Sequence, residues 1–285
     1  MANILDAILN IAKDSGQKLG ASTNQRNRLH AEGEPLEDYI KDAFAGTFNL
    51  DTATKNLQQS QVFSYGGGKN NPPDAIIRNG DAIEVKKVET IGDIPLNSSY
   101  PKAKLYHDDP RISSDCRNIE GGQWTERDII YAVGNVKAKG ADIYALTFVY
   151  GSIYCAKKEC YETTFNAIKE GIIKSVDLEL EPTNELAHIN MVDPLGITYF
   201  RARGMWGITH PLKVFKYLFQ HDSKNRFELV AIIPTDKYDN FENKSNFEQE
   251  AQKINALKIE NKQVKNPNNT AELINVKQSY NEREK

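Results

Sequence analysis

One segment constrains this chain more than any other: Asn71-Pro72-Pro73-Asp74-Ala75-Ile76-Ile77-Arg78-Asn79-Gly80-Asp81-Ala82-Ile83-Glu84-Val85-Lys86-Lys87. Gly66-Gly67-Gly68 and Pro72-Pro73 break the chain before it. Two short apolar runs then flank Asn79-Gly80, the pattern of a β-hairpin. Strand side chains alternate faces, so Glu84 and Lys86 share one face while Ile83 and Val85 take the other. With Ile83 and Val85 in a core, an acid and a base stand together at its rim. A two-residue Asn79-Gly80 turn sets Asp74 opposite Val85. A three-residue loop, Arg78-Asn79-Gly80 with Gly80 left-handed, sets Asp74 opposite Glu84. The second register is favoured, because the first buries Glu84 and Lys86 if Asp74 is exposed, or leaves Asp74 away from any partner.

The rest of the chain reads as α/β, with helices flanking a mixed sheet. Ile4, Leu5, Ile8, Leu9, Ile11 and Ala12 recur at helical spacing, and Gly16 ends that helix. After a polar stretch, Ser22–Arg28, Gly33-Glu34-Pro35 opens a second helix with Pro35 in its first turn. Its stripe is Leu36, Tyr39, Ile40, Ala43 and Phe44, and Gly46 stops it. Glu37 lies at the edge of the stripe and can face inward; alternatively it pairs with Lys41 at i+4. Leu96–Gln123 reads as loop. Thr125 caps a helix through Val136, with Ile129, Ile130 and Val133 buried. Asp142–Ala156 reads as one or two strands, Tyr161–Ile173 as a helix, and Pro211–Phe219 as a short helix. Ile197–Phe200 and Leu229–Ile233 read as strands. Residues 1–237 are expected to hold one catalytic and recognition domain. From Tyr238 the composition shifts to Asn, Glu, Lys and Gln, so 238–285 is expected to be a polar extension, helical or partly disordered.

Composition excludes some classes of function. A net charge of −3 rules out a uniformly basic nucleic-acid binder but not a local basic patch. Three cysteines, Cys116, Cys155 and Cys160, are too few and too oddly spaced for a disulfide framework or a zinc site, and fit a reducing cytosol. The longest apolar stretch, Ile143–Ala156, is shorter than a membrane span. No targeting segment is visible at the N-terminus, so a cytoplasmic protein is expected. Gly66-Gly67-Gly68-Lys69 lacks the spacing and the Ser/Thr of a phosphate-cradling P-loop and reads as a flexible loop.

Two neighbouring carboxylates repel one another, and a divalent cation removes the conflict. Mg²⁺ prefers hard oxygen ligands and needs only one or two carboxylates. A lysine beside it suits phosphodiester hydrolysis. Pro73-Asp74 followed by Glu84-Val85-Lys86 resembles the PD-(D/E)xK nuclease motif. The flanking Gly66–Asp74 and Ala82–Lys87, the helix with Gly33-Glu34-Pro35-Leu36-Glu37, and Gly121-Gly122-Gln123-Trp124-Thr125-Glu126-Arg127-Asp128 resemble restriction endonucleases of the NgoPII type.

That resemblance implies a mixed sheet flanked by helices. It also implies that Asp74, Glu84 and the Val85 carbonyl bind Mg²⁺, that Glu37 is an accessory acid, and that Lys86 assists the attacking water. The implied protein is a homodimer cutting duplex DNA at a palindrome, GGCC for this type. The alternatives are another PD-(D/E)xK nuclease acting in repair or on junctions, and a catalytically silent DNA-binding protein of this fold. Arg201, Arg203 and His210, in one basic and aromatic stretch, are candidates for DNA contacts, with arginine suited to reading guanine. Lys102, Lys104, Arg111 and Arg117 are candidates for phosphate contacts.

Overall fold

The computed structural model describes residues 1–14, 16–19, 34–68, 71–137, 142–175, 183, 185–190, 192–195 and 197–284. The polar stretch Ser22–Arg28 and Lys69 lie outside the described residues. Helix α1 (Ile4–Lys13) starts at an Asn3 capping box: Asn3 accepts from the Leu5 N–H, and Asp6 accepts from the Asn3 N–H. Helix α2 (Glu34–Ala45) ends where Gly46 turns left-handed, at φ 68°. Helix α3 (Thr52–Val62) follows, capped by Asp51.

Then come β1 (Phe63–Tyr65), β2 (Ala75–Ile77), β3 (Ala82–Val88), β4 (Asp93–Asn97), β5 (Lys104–Tyr106) and α4 (Ser114–Asn118). Next are β6 (Glu126–Val136), β7 (Ile143–Tyr150), α5 (Gly151–Tyr154), α6 (Lys158–Ser175), β8 (Ala187–Ile189), β9 (Phe200–Ala202) and β10 (Trp206–Thr209). The rest comprises α7 (Pro211–Val214), β11 (Asn225–Pro234), α8 (Thr235–Asp239), α9 (Lys244–Gln252), β12 (Leu257–Asn266) and β13 (Asn269–Glu284).

The main sheet runs β1-β2-β3-β6-β7-β11-β13-β12, with β5 added beside β6. β3 pairs parallel with β6, and β7 parallel with β11; the other neighbours are antiparallel. This is the expected mixed α/β architecture. Its centre is apolar on both faces: β6, β7 and β11 are buried almost end to end.

Two expectations fail here. Thr125–Val136 is a central strand, not a helix. A continuous apolar run satisfies helical spacing by default, and the β-branched Ile129, Ile130, Val133 and Val136 favour the extended form. The polar tail is likewise built into the sheet. Only Lys244–Gln252 is a substantial helix in it, while β12 and β13 form a hairpin that pairs with β11. Composition hid this because Gln278, Ser279 and Asn281 are fully buried on β13 beside Val264 and Val276. Truncation after Asp239 is therefore expected to abolish cooperative unfolding, measured by denaturant titration, since it strips β11 of its β13 partner. A truncated chain that unfolds like the parent would refute that integration.

Helix α2 is set close against the sheet at one point. A Cβ on Gly134 of β6 would lie 2.7 Å from a Leu36 methyl. The bare backbone at Gly134 therefore admits Leu36, which is fully buried. That seating fixes Glu37, the next residue, over the sheet.

Candidate active site

The hairpin takes the register that joins the carboxylates. Ala75 pairs with Ile83 and Ile76 with Ala82, so Asp74 stands across from Glu84. The loop is Arg78-Asn79-Gly80, closed by Ile77 N–H to the Asp81 carbonyl (2.9 Å). The left-handed residue is Asn79, at φ 54°, not Gly80. Asn tolerates this conformation better than most side chains.

Strand β3 outruns β2, which begins at Ala75. The Asp74 N–H donates to the Ile83 carbonyl (3.0 Å), and one residue pair further on the Asp74 side chain takes over the edge, its Oδ2 accepting from the Val85 N–H at 2.6 Å. In a strand the N–H and C=O of one residue point to the same edge. The Val85 carbonyl therefore faces the edge where Asp74 stands. The Val85 side chain is buried in the core, as the alternation requires.

Lys86 donates to Glu84 Oε1 at 2.6 Å. The second oxygen, Oε2, is buried and has no hydrogen-bond partner among the described residues. A buried carboxylate oxygen left without a donor is costly, and a cation is one way to satisfy it. Burial pushes the Asp74 carboxyl up to about 8; the Glu84 and Glu37 carboxylates add to the rise, and the Lys86 ammonium and the Val85 N–H oppose it. Burial also raises Glu37, with Lys41 and Lys86 pulling the other way and Asp38 and Glu84 adding to it. Burial works against the Lys86 ammonium, but Glu84 and Asp74 outweigh it and hold its pKa above the usual lysine value. Glu37, Asp74, Glu84 and Lys86 thus act on one another electrostatically. Among the described residues, no three acidic, histidine or cysteine side chains already form a closed ligand cluster. The donor set is two facing carboxylates and a carbonyl, which fits an oxygen-seeking cation that keeps part of its water.

The candidate nucleic-acid contacts divide. Arg203 and Arg111 line one cavity of about 580 Å³ with Tyr100, Phe165 and Glu185. Arg201 grips Glu185 with two bonds (2.7 and 2.6 Å), and Arg203 reaches the same carboxylate at 2.8 Å. Lys104 lies in a different cavity, beside Glu126, Asp128 and Lys237.

Three candidates are corrected. His210 is 0 % exposed; Nε2 meets Asn135 Oδ1 (3.0 Å), and Nδ1 accepts from the Leu212 N–H to cap α7. Burial, with Lys213 and His221 nearby, lowers it to about 4, so it is neutral. Lys102 is buried in an ion pair with Asp109. Arg117 is spent on the carbonyls of His107 and Asp109. All three came from reading positive charge without its intramolecular partners. His210→Ala is expected to lose about 2 kcal/mol of stability in denaturant, from a lost cap and an orphaned Asn135, with DNA affinity unchanged. A fall in affinity without a fall in stability would return His210 to the interface.

Sequence reasoning missed the packing of the Gly66–Gly68 loop against Asp74. The signal available was the glycine run just upstream of the motif, which marks a close backbone approach as well as a turn.

Comparison with known proteins gives a consistent picture. The NgoPII restriction endonuclease family matches residues 2–265. The type II restriction enzyme NgoPII of Neisseria gonorrhoeae is 44 % identical over 276 residues, covering 96 % of this chain and 98 % of that protein. No solved structure matches. A hairpin that brings two carboxylates and a lysine together in a mixed sheet thus stands in a chain matched over 96 % of its length, and the chain belongs to the NgoPII restriction endonuclease family.

Proposed function

We propose that this protein is a Mg²⁺-dependent type II restriction endonuclease that hydrolyses both strands of duplex DNA at a short palindrome, GGCC, as a homodimer. The observation that carries the chemistry is the buried Glu84 Oε2 without a hydrogen-bond partner, on a residue across the hairpin from Asp74, with Lys86 on the other Glu84 oxygen. Asp74, Glu84 and the Val85 carbonyl would hold the cation, with Glu37 as accessory acid from α2. When bound, Mg²⁺ neutralises phosphate charge and acidifies water at the reaction centre.

The chain's own groups do the positioning. Val85 N–H fixes the Asp74 rotamer. Glu84 orients the Lys86 ammonium, which has two further donors for the attacking water or a phosphoryl oxygen. In that position Lys86 would act by holding and by charge. Arg201, Arg203, Arg111 and Lys104 supply the cationic surface for DNA, with the two β9-side arginines preset by Glu185. A homodimer would match a palindrome by two-fold symmetry. No helix among the described residues is long and apolar enough to cross a membrane.

The test is incubation of purified protein with a sequenced plasmid, in Mg²⁺ or in EDTA, followed by mapping of the ends. Discrete Mg²⁺-dependent fragments ending within GGCC are expected. Discrete fragments at another sequence would correct the site alone. Intact DNA with retained binding would point to the catalytically silent alternative.

A further inference from the structure

Between α2 and Asp74 lies a short chain of contacts that the reaction centre does not itself use. Lys41 stands one turn beyond Glu37 on α2, on the same helical face. Instead of closing on Glu37, its ammonium donates to the Gly66 carbonyl at 2.8 Å. The next residue, Gly67, is left-handed at φ 92° and lies directly on the backbone of Asp74. A Cβ there would sit 2.4 Å from the Asp74 carbonyl oxygen and 3.1 Å from its carbon. That is an approach only glycine allows, and the atoms met are backbone, which cannot swing aside. Gly68 lies against the Tyr65 hydroxyl, which in turn meets Ser113 Oγ at 3.1 Å, so the loop is anchored from behind. Asp74 is thus held from two directions: by Ile83 and Val85 of β3 on one side, and by Gly67 on the other.

We propose that Lys41, the Gly66 carbonyl and Gly67 form a strap that ties α2 to the backbone of Asp74 and so sets the spacing of Glu37 and Asp74 on which divalent-cation affinity depends. This rests on reading Asp74 and Glu84 as the cation site. Lys41 and Gly67 are positioning residues and touch neither metal nor DNA. The sign of the effect separates a strap from a mere charge. Removing a cation near carboxylates strengthens cation binding by Coulomb's law. Releasing the strap weakens it, because outer partners that orient ligands govern affinity by tenfold or more.

Mn²⁺ binding to the full-length protein, followed by the paramagnetic resonance of the free ion, reads this without turnover. Lys41→Met, which keeps the apolar stem, is expected to weaken Mn²⁺ binding about tenfold, with thermal stability and duplex affinity in EDTA unchanged. Lys41→Arg, which can still donate to the Gly66 carbonyl, should restore affinity to within about threefold. Gly67→Ala should weaken it at least as much as Lys41→Met; should that variant fold poorly, Lys41→Met and Lys41→Arg decide alone. Unchanged or tighter binding in Lys41→Met would overturn the strap, as would a Lys41→Arg variant no better than Lys41→Met. Asp74→Asn serves as the separate control. If it binds Mn²⁺ as tightly as the parent, the cation-site reading itself fails; if it does not bind while Lys41→Met binds normally, only the strap fails.

Discussion

Asp74→Ala is expected to reduce cleavage by about 10³-fold or more while leaving duplex affinity within a few-fold of the parent in EDTA. The loss follows from position. Asp74 stands across from Glu84 in the hairpin, and its Oδ2 takes the Val85 N–H beyond the end of β2. Without it, the proposed cation site would be reduced to Glu84, the Val85 carbonyl and Glu37. Transition-state charge on phosphate then loses several kcal/mol of stabilisation, and each 1.36 kcal/mol is about a factor of ten in rate. Binding is expected to survive because the proposed DNA contacts Arg201, Arg203 and Arg111 make no ion pair with Asp74; Arg201 and Arg203 are held by Glu185. Single-turnover rates on a plasmid substrate, beside a gel-shift titration, separate the two quantities. A variant that cuts within tenfold of the parent would remove Asp74 from the reaction centre.

Metal-free Asp74→Asn, by contrast, is expected to be more stable than the parent at pH 8 and equal to it near pH 4. Asp74 titrates near 8 in the folded protein, against an ordinary value of 3.8. Between those limits the unfolded chain has released a proton that the folded chain still holds. Folding stability therefore falls as pH rises from about 4 to about 8 and levels off beyond. A displacement of this size corresponds to at most about 6 kcal/mol. With local relaxation, about 3 kcal/mol remains, or about 6–10 °C in Tm. Asparagine keeps an acceptor for the Val85 N–H but never ionises, so it escapes the penalty. Melting curves across pH in EDTA check this. Added Mg²⁺ should raise the parent's Tm and leave the variant's nearly unchanged. Parallel pH profiles for the two proteins would show that Asp74 carries no strain of charge.

The juxtaposition of Asp74, Glu84 and Lys86 was legible in the sequence because it is local. Period-two alternation fixed which residues of β3 face together, and the Asn79-Gly80 loop limited the register to two choices. The helix carrying Glu37 was legible for the same reason, since its stripe, its Pro35 start and its Gly46 stop lie within a few turns. What was not legible depends on remote partners. Ile129 to Val136 is a strand because β3 and β7 accept it on both sides. The 257–284 hairpin is built into the sheet because β11 takes β13 as its neighbour, and Gln278, Ser279 and Asn281 gave no hint of burial. Lys102, Arg117 and His210 looked available because Asp109, two loop carbonyls and Asn135 reach them only in three dimensions.

Helix α1 meets residues from the far end of the chain. Asn3 donates to Asn243 (2.7 Å), Asn243 donates back to Asp6 (2.9 Å), Lys13 pairs with Glu250, and Arg283 donates to the Ile11 and Ala12 carbonyls. During synthesis, α1 emerges before any of these partners exists. Its apolar side, Ile4, Leu5, Ile8 and Ile11, can use α2 early but gains its full cover only when β11 and α9 arrive. Contacts so distant along the chain make folding slow, with the closing step only after β13 has been made. A nascent chain is therefore an unfinished nuclease for most of its time on the ribosome, and the interval in which its first helix is uncovered is when a chaperone would find it.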